Sequence, residues 1–243
     1  MKIELKVITV GIILAACVAV LSVGLLSPEP MIGDEVTHFY MLKTQAEKLS
    51  APNFKAVIPV GMDESACETR WYPHAPAWHY AGAILYKVVG SEWIVQVYQA
   101  AFLLQLLLGV FLLAKLSGGG DPFVVLLALL SVVSLPMTLL FGVAFYQDVP
   151  LAAQIVMAFY FLLRQRWILA AAFLALAVSI KESAVLFLPA YFLLLAWTQR
   201  KRGGFRWFAS IAGTFLVLFL SCSMVAWSLK KYANADYYPV QVV

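Results

Sequence analysis

The feature that most constrains this chain is a succession of apolar runs long enough to cross a bilayer. A spanning helix needs about 20 apolar residues, and a helix is the default because hydrocarbon offers a backbone polar group no partner outside its own segment. The first run covers residues 7–26 behind Lys2 and Lys6; it is too long for a signal peptide and no good cleavage site follows it, so it reads as an uncleaved anchor. Further spans are expected at 93–116, 123–145, 149–163, 167–180, 184–197 and 207–229. With 63% hydrophobic and 12% charged residues, the chain departs from soluble domains, disordered chains and disulfide-stapled modules alike. Cys17, Cys67 and Cys222 lie too far apart for a disulfide framework or a zinc ribbon. The expected fold class is an all-α polytopic membrane protein of seven transmembrane helices, residues 1–243 forming one domain.

The basic residues set the orientation. With the N-terminus in the cytoplasm and the short apolar segment 78–89 lying flat on the outer surface, the inner ends carry Lys2, Lys6, Lys115, Arg164, Arg166, Arg200, Lys201, Arg202 and Arg206 against only Glu4 and Asp121. If 78–89 crossed instead, Arg164, Arg166 and the 199–206 cluster would move outside. Residues 27–91 thus form an outer loop with interfacial helices, and the C-terminus is outside. A multi-pass protein of a bacterial or archaeal plasma membrane, such as a cell inner membrane, is expected. Spans 149–163 and 167–180 hold 15 and 14 residues, just over 20 Å at about 1.5 Å per residue and short of a hydrocarbon core of roughly 30 Å. A water-filled cavity dipping in from the outer face explains this, as does local thinning of the bilayer.

Three groups of residues carry possible chemistry. In the outer loop, Val36, Phe39, Leu42, Ala46 and Leu49 make an apolar stripe at helical spacing, so a membrane-surface helix starts near Asp34. Asp34 reads either as the helix N-cap or as a general base, with Glu35 beside it; His38, one turn on, orients that carboxylate or is interfacial. Asp148, in Phe145-Tyr146-Gln147-Asp148-Val149-Pro150, reads either as a cap or as an acid lining a polar cavity. Lys181, in Ile180-Lys181-Glu182-Ser183, is either part of a turn or a point charge for a lipid phosphate. Cys67, Arg70 and His74 invite a thiol reading, but loop spacing says little about triad geometry. His74 and His79 with Trp71, Tyr72 and Trp78 read more simply as an interfacial aromatic belt.

The order of these features resembles the N-terminal module of C-type (GT-C) glycosyltransferases, close in pattern to protein O-mannosyltransferases and the lipid A aminoarabinose transferase. The resemblance rests on Gly33-Asp34-Glu35-Val36-Thr37-His38-Phe39-Tyr40, Tyr72-Pro73-His74-Ala75-Pro76-Ala77-Trp78-His79-Tyr80, Phe145 to Leu151, and the small-residue span closed by Lys181-Glu182. It implies a membrane glycosyltransferase that moves a sugar from a polyprenyl-phosphate donor to an acceptor hydroxyl on the outer, periplasmic or lumenal, face. It also implies catalytic roles for Asp34 as base and Asp148 as orienting acid, and substrate-binding roles for Glu35, His38, Arg70 and Lys181, with Lys181 on the phosphate. No metal site and no cofactor are expected, the lipid-linked sugar being a substrate. Membrane lipid and an acceptor of unknown kind are the expected partners, and nucleic acid is not. Relatives usually continue past the seventh span, so this chain reads as a minimal enzyme, a fragment, or half of a complex whose partner subunit supplies the C-terminal part. The rival is a non-catalytic carrier or flippase component; such a protein more often shows internal repeats, mid-span charges and broken helices.

Overall fold

The structure, a computed structural model, describes residues 34–49, 55–60, 63–71, 77–199 and 211–215, with isolated positions 11, 15, 18 and 219. Most of the expected anchor at 7–26 and of the expected span at 207–229 lies outside the described residues. Helix α1 (Asp34–Lys48) forms where a run free of Gly and Pro follows Gly33. Its stripe buries Phe39, Leu42 and Ala46 as expected, but the same face also buries Glu35, His38 and Gln45. It packs against α2 (Ala77–Val89) rather than lying alone on a surface. Close approach depends on Gly82, where a Cβ would sit 2.7 Å from Leu42 Cδ1 and 3.2 Å from the Tyr98 ring.

Between these helices the outer loop, expected to carry interfacial helices in an all-α chain, also holds two strands. Strands β1 (Lys55–Val60) and β2 (Asp63–Trp71) pair antiparallel, Lys55 opposite Trp71 and Pro59 opposite Cys67, with an irregularity between Pro59 and Val60. Val57, Ile58 and Val60 are β-branched and suit a pleated surface better than a helix.

Helix α3 (Trp93–Ser117) follows the expected span closely and, at 25 residues, reaches about 37 Å. It stops at Gly118-Gly119-Gly120, where the last two take φ of +62° and +84°, a left-handed backbone that glycine adopts without strain. Asp121 then caps the next helix by accepting the Phe123 N–H at 2.9 Å, with Pro122 in the first turn. The expected single span at 123–145 is instead two helices, α4 (Pro122–Val133) and α5 (Pro136–Val143), bent by 68°. Pro136 has no N–H to continue the ladder and disfavours helix in Leu135, whose ψ is 116°.

Helices α6 (Asp148–Leu163) and α7 (Trp167–Ile180) match the two expected short spans to within a residue and run antiparallel across a turn at Gln165 (φ 58°). The chain then winds as a 3₁₀ helix over Glu182–Phe187 before α8 (Leu188–Gln199), so the expected span at 184–197 begins in a tighter coil, with Pro189 in the first turn of α8. Helix α6 lies between α3 and α7 and is the most enclosed. Gly109 lets α3 and α6 approach, since a Cβ there would meet Val156 at 2.9 Å. Gln105 and Gln154 exchange amide hydrogen bonds of 3.1 and 3.3 Å across the same helix pair, a polar tie suited to an apolar medium. Leu104, Leu108, Leu176, Leu193 and Phe219 face outward, so the described helices present apolar side chains on the outside as well as in the core.

Among the described residues, α3 alone is long and apolar enough to cross a membrane unaided, and the bent α4–α5 pair qualifies together. The helices at 148–163, 167–180 and 182–198 are apolar but shorter. Length therefore supports a helical membrane protein without establishing seven spans.

Candidate active site

Of the residues singled out in the sequence, Glu35, His38, Asp148 and Lys181 lie where the start of α1, the start of α2, the α5–α6 connection and the end of α7 meet. Asp34 is the first residue of α1; its side chain lies outside the described residues. Glu35 follows and is 4% exposed, its carboxylate Oε1 accepting the Phe145 N–H at 2.7 Å across 110 residues of sequence. It acts as a strut fixing the α5–α6 connection against α1. His38 comes next on the same helix and is buried. Its Nδ1 lies 2.7 Å from His79 Nε2, with the two rings stacked at a centroid distance of 5.0 Å.

The expected interfacial belt is thus corrected for two members. Trp78 and His79 are 1% and 0% exposed. The Trp78 ring stacks on Phe145 with centroids 4.0 Å apart, and its carbonyl accepts the Tyr98 hydroxyl at 3.1 Å. The first turn of α2 fits between α1 and the α5–α6 connection, so a residue pair typical of interfaces becomes core. Tyr146 closes the cluster with its ring 5.6 Å from that of His38. From α3, Gln99 donates to both the Phe141 carbonyl at 2.6 Å and the Tyr146 carbonyl at 2.9 Å, fixing the connection from the other side.

At the mouth of the cluster, the Lys181 ammonium donates to Asp148 Oδ1 at 2.8 Å. Asp148 starts α6 and Lys181 follows the end of α7, so the antiparallel helices bring the two together. Their side chains are 41% and 23% exposed, which leaves both within reach of a ligand. The sequence had suggested separate roles for these groups; in the fold they form one ion pair. Arg70 and Cys67 lie on β2, their side chains outside the described residues, as is His74 altogether. Lys43 of α1 forms an ion pair with Glu92 ahead of α3. Burial works against its ammonium, but the hydrogen bond and charge of Glu92, helped by Tyr86 and Tyr40, outweigh it and hold the pKa above its ordinary value.

Tyr146 and Gln99 had no assigned role in the sequence, and His79 had only the interfacial one. A signal for the burial of His38 was present, because it lies four residues before Leu42 and eight before Ala46 on one stripe.

A carboxylate–ammonium pair at the ends of short apolar helices, backed by a buried polar cluster, can hold an anionic head group beside lipid. Residues 71–237, more than half of the chain, match the family model described as ALG3 protein. No curated protein and no solved structure matches the chain. The matched region takes in His79, Asp148 and Lys181 and begins after α1. The chain therefore belongs to the ALG3 protein family, membrane glycosyltransferases that use a lipid-linked sugar donor.

Proposed function

We propose that this protein is a GT-C-type enzyme that transfers a mannosyl group from a polyprenyl-phosphate mannose to an acceptor hydroxyl at the outer membrane face. The observation that carries the reading is the Asp148–Lys181 pair at the ends of α6 and α7, joined to the family's use of a lipid-linked donor. The lipid phosphate replaces Asp148 as the partner of Lys181, with Arg70 a second cation for it, and Asp148 orients the incoming acceptor. Asp34 takes the proton of the acceptor hydroxyl as its oxygen bonds to the anomeric carbon. The bond from that carbon to the phosphate oxygen breaks with its electron pair on the leaving polyprenyl phosphate, so the configuration inverts. Phosphate is already a good leaving group, so no strong acid is required. Glu35 and His38 serve the site from beneath, through Phe145 and His79. Seven spans with a cytoplasmic N-terminus in a plasma membrane put this cluster on the outer face. A cysteine near Lys230 should then react with an impermeant reagent, and one near Lys201 should not.

A carrier without chemistry is the second reading, favoured by the 68° break at Pro136, since broken helices recur in transporters. One assay separates the two. The purified full chain in nanodiscs is given polyprenyl-phosphate mannose with a panel of sugar, lipid and peptide hydroxyl acceptors. Appearance of a mannosylated acceptor with free polyprenyl phosphate supports the transferase. Movement of intact donor between leaflets of a proteoliposome, with no product, supports the carrier.

A further inference from the structure

Helices α1 and α2 run parallel. His38 meets His79, Leu42 meets Gly82, and one turn further on Glu47 of α1 shares a cleft with Tyr86, Lys87 and Gly90 at the end of α2. The first turns of the pair build the buried cluster, and the last turns part around this open cleft of about 470 Å³, within the range of small-molecule sites. Its end at Gly90 is empty space, since a Cβ there would meet no atom within 4 Å.

The charges around the cleft differ in what they already do. Lys43 is committed to Glu92. Glu47, one turn after Lys43, and Lys87 are exposed and meet no opposite charge among the described residues. The cleft therefore keeps one carboxylate on its α1 wall and one ammonium on its α2 wall. Glu47 would repel an occupant that was only an anion, and Lys87 one that was only a cation; a ligand carrying both charges answers both walls. The last-turn carbonyls of two parallel helices also favour the cationic part at this end.

The outer side of α2 supplies the rest of the fit. Tyr86 and Gly90 line the cleft, whereas Ile84 and Val88, four residues apart, form an apolar strip turned away from α1 and are 41% and 79% exposed. Lys87, three residues after Ile84, stands between the strip and the cleft. In a membrane-embedded family such a strip lies against lipid, with the ammonium at head-group level.

We propose that the α1–α2 cleft binds the head group of a zwitterionic phospholipid with a primary ammonium beyond its phosphate, as in phosphatidylethanolamine. Lys87 donates to the phosphate, the part nearest the acyl chains. Glu47 accepts from the ammonium, and the chains run along Ile84 and Val88. The site lies at the opposite end of the helix pair from His38 and His79, and it does not rest on the transferase reading.

The test equilibrates the purified full chain in detergent with equal amounts of phosphatidylethanolamine and phosphatidylglycerol of identical acyl chains. Native mass spectrometry then identifies the lipid held most tightly. The wild type should retain phosphatidylethanolamine over phosphatidylglycerol. Glu47→Gln should lower retention of phosphatidylethanolamine roughly three- to tenfold and abolish the preference, while Lys87→Gln should lower retention of both lipids. Neither variant should change the unfolding temperature without lipid, because neither side chain has a charged partner among the described residues. Soluble phosphoethanolamine at the same concentration should not displace the lipid, since it has no chains to lay on α2. Equal retention of the two lipids by the wild type, or retention of neither, overturns the proposal. Wild-type retention in both variants also overturns it, because the lipid then sits elsewhere. Displacement by phosphoethanolamine overturns the lipid in favour of a free zwitterion.

Discussion

Replacing Glu35 with alanine should lower stability by removing the tie between α1 and the α5–α6 connection. The carboxylate is 4% exposed and accepts the Phe145 N–H at 2.7 Å. A hydrogen bond to a charged group contributes about 1.5–3 kcal/mol, and an orphaned buried N–H costs about 1–3 kcal/mol. The two figures describe overlapping losses, so Glu35→Ala should destabilise by about 2–3 kcal/mol. At about 2–4 °C per kcal/mol for a chain of this length, Tm should fall by roughly 4–12 °C. Glu35→Gln keeps an acceptor oxygen and should lose only about 1 kcal/mol, or roughly 2–4 °C. Intrinsic tryptophan fluorescence during a thermal ramp is a suitable assay, because Trp78, one of seven tryptophans, stacks on Phe145 and contributes to the signal. In the alanine variant kcat should fall as the α5–α6 connection loosens. If Tm holds and only the KM for donor rises, Glu35 binds substrate and is not a strut.

Two further expectations follow from the same geometry. Gln99→Leu removes both donors to the Phe141 and Tyr146 carbonyls, and should lower stability by about 1–3 kcal/mol in the same thermal assay; an unchanged Tm refutes the bridging role. The Lys43–Glu92 pair stabilises the fold in its charged form, and the folded pKa of Lys43 is raised, so its contribution is whole below pH 10.5 and is lost as pH climbs through the higher folded value. Tm measured against pH should fall along that alkaline limb, and Lys43→Gln should flatten the fall.

Helix ends were legible where the sequence carries punctuation that physics enforces. Gly118-Gly119-Gly120 ends α3, Arg164-Gln165-Arg166 separates α6 from α7, and Lys181 closes α7, each at an abrupt change from apolar to polar or to glycine. The break before Pro136 was missed because apolarity is continuous across it, while the interruption lies in the backbone hydrogen bonds. The β1–β2 hairpin was missed for a related reason: its side chains sit in a polar loop where period and length are both weak signals. Asp34, Glu35, His38, Asp148 and Lys181 could each be found as a rare polar group in an apolar chain. Their partners could not. The acceptance of the Phe145 N–H by Glu35 involves a backbone group with no sequence signature, and the Asp148–Lys181 pair spans 33 residues that only the antiparallel packing of α6 and α7 brings together.

Transfer by the Asp34→Asn protein tests the catalytic role of this site most directly. Asparagine caps a helix about as well as aspartate, so the start of α1 and the unfolding temperature should be preserved. Donor binding should persist, because the proposed holder of the lipid phosphate is Lys181. Turnover of polyprenyl-phosphate mannose with a productive acceptor should fall by roughly a hundredfold or more, the usual scale for losing a general base. Wild-type turnover by Asp34→Asn would contradict the assignment, leaving Asp34 as a helix cap and moving the base to Asp148.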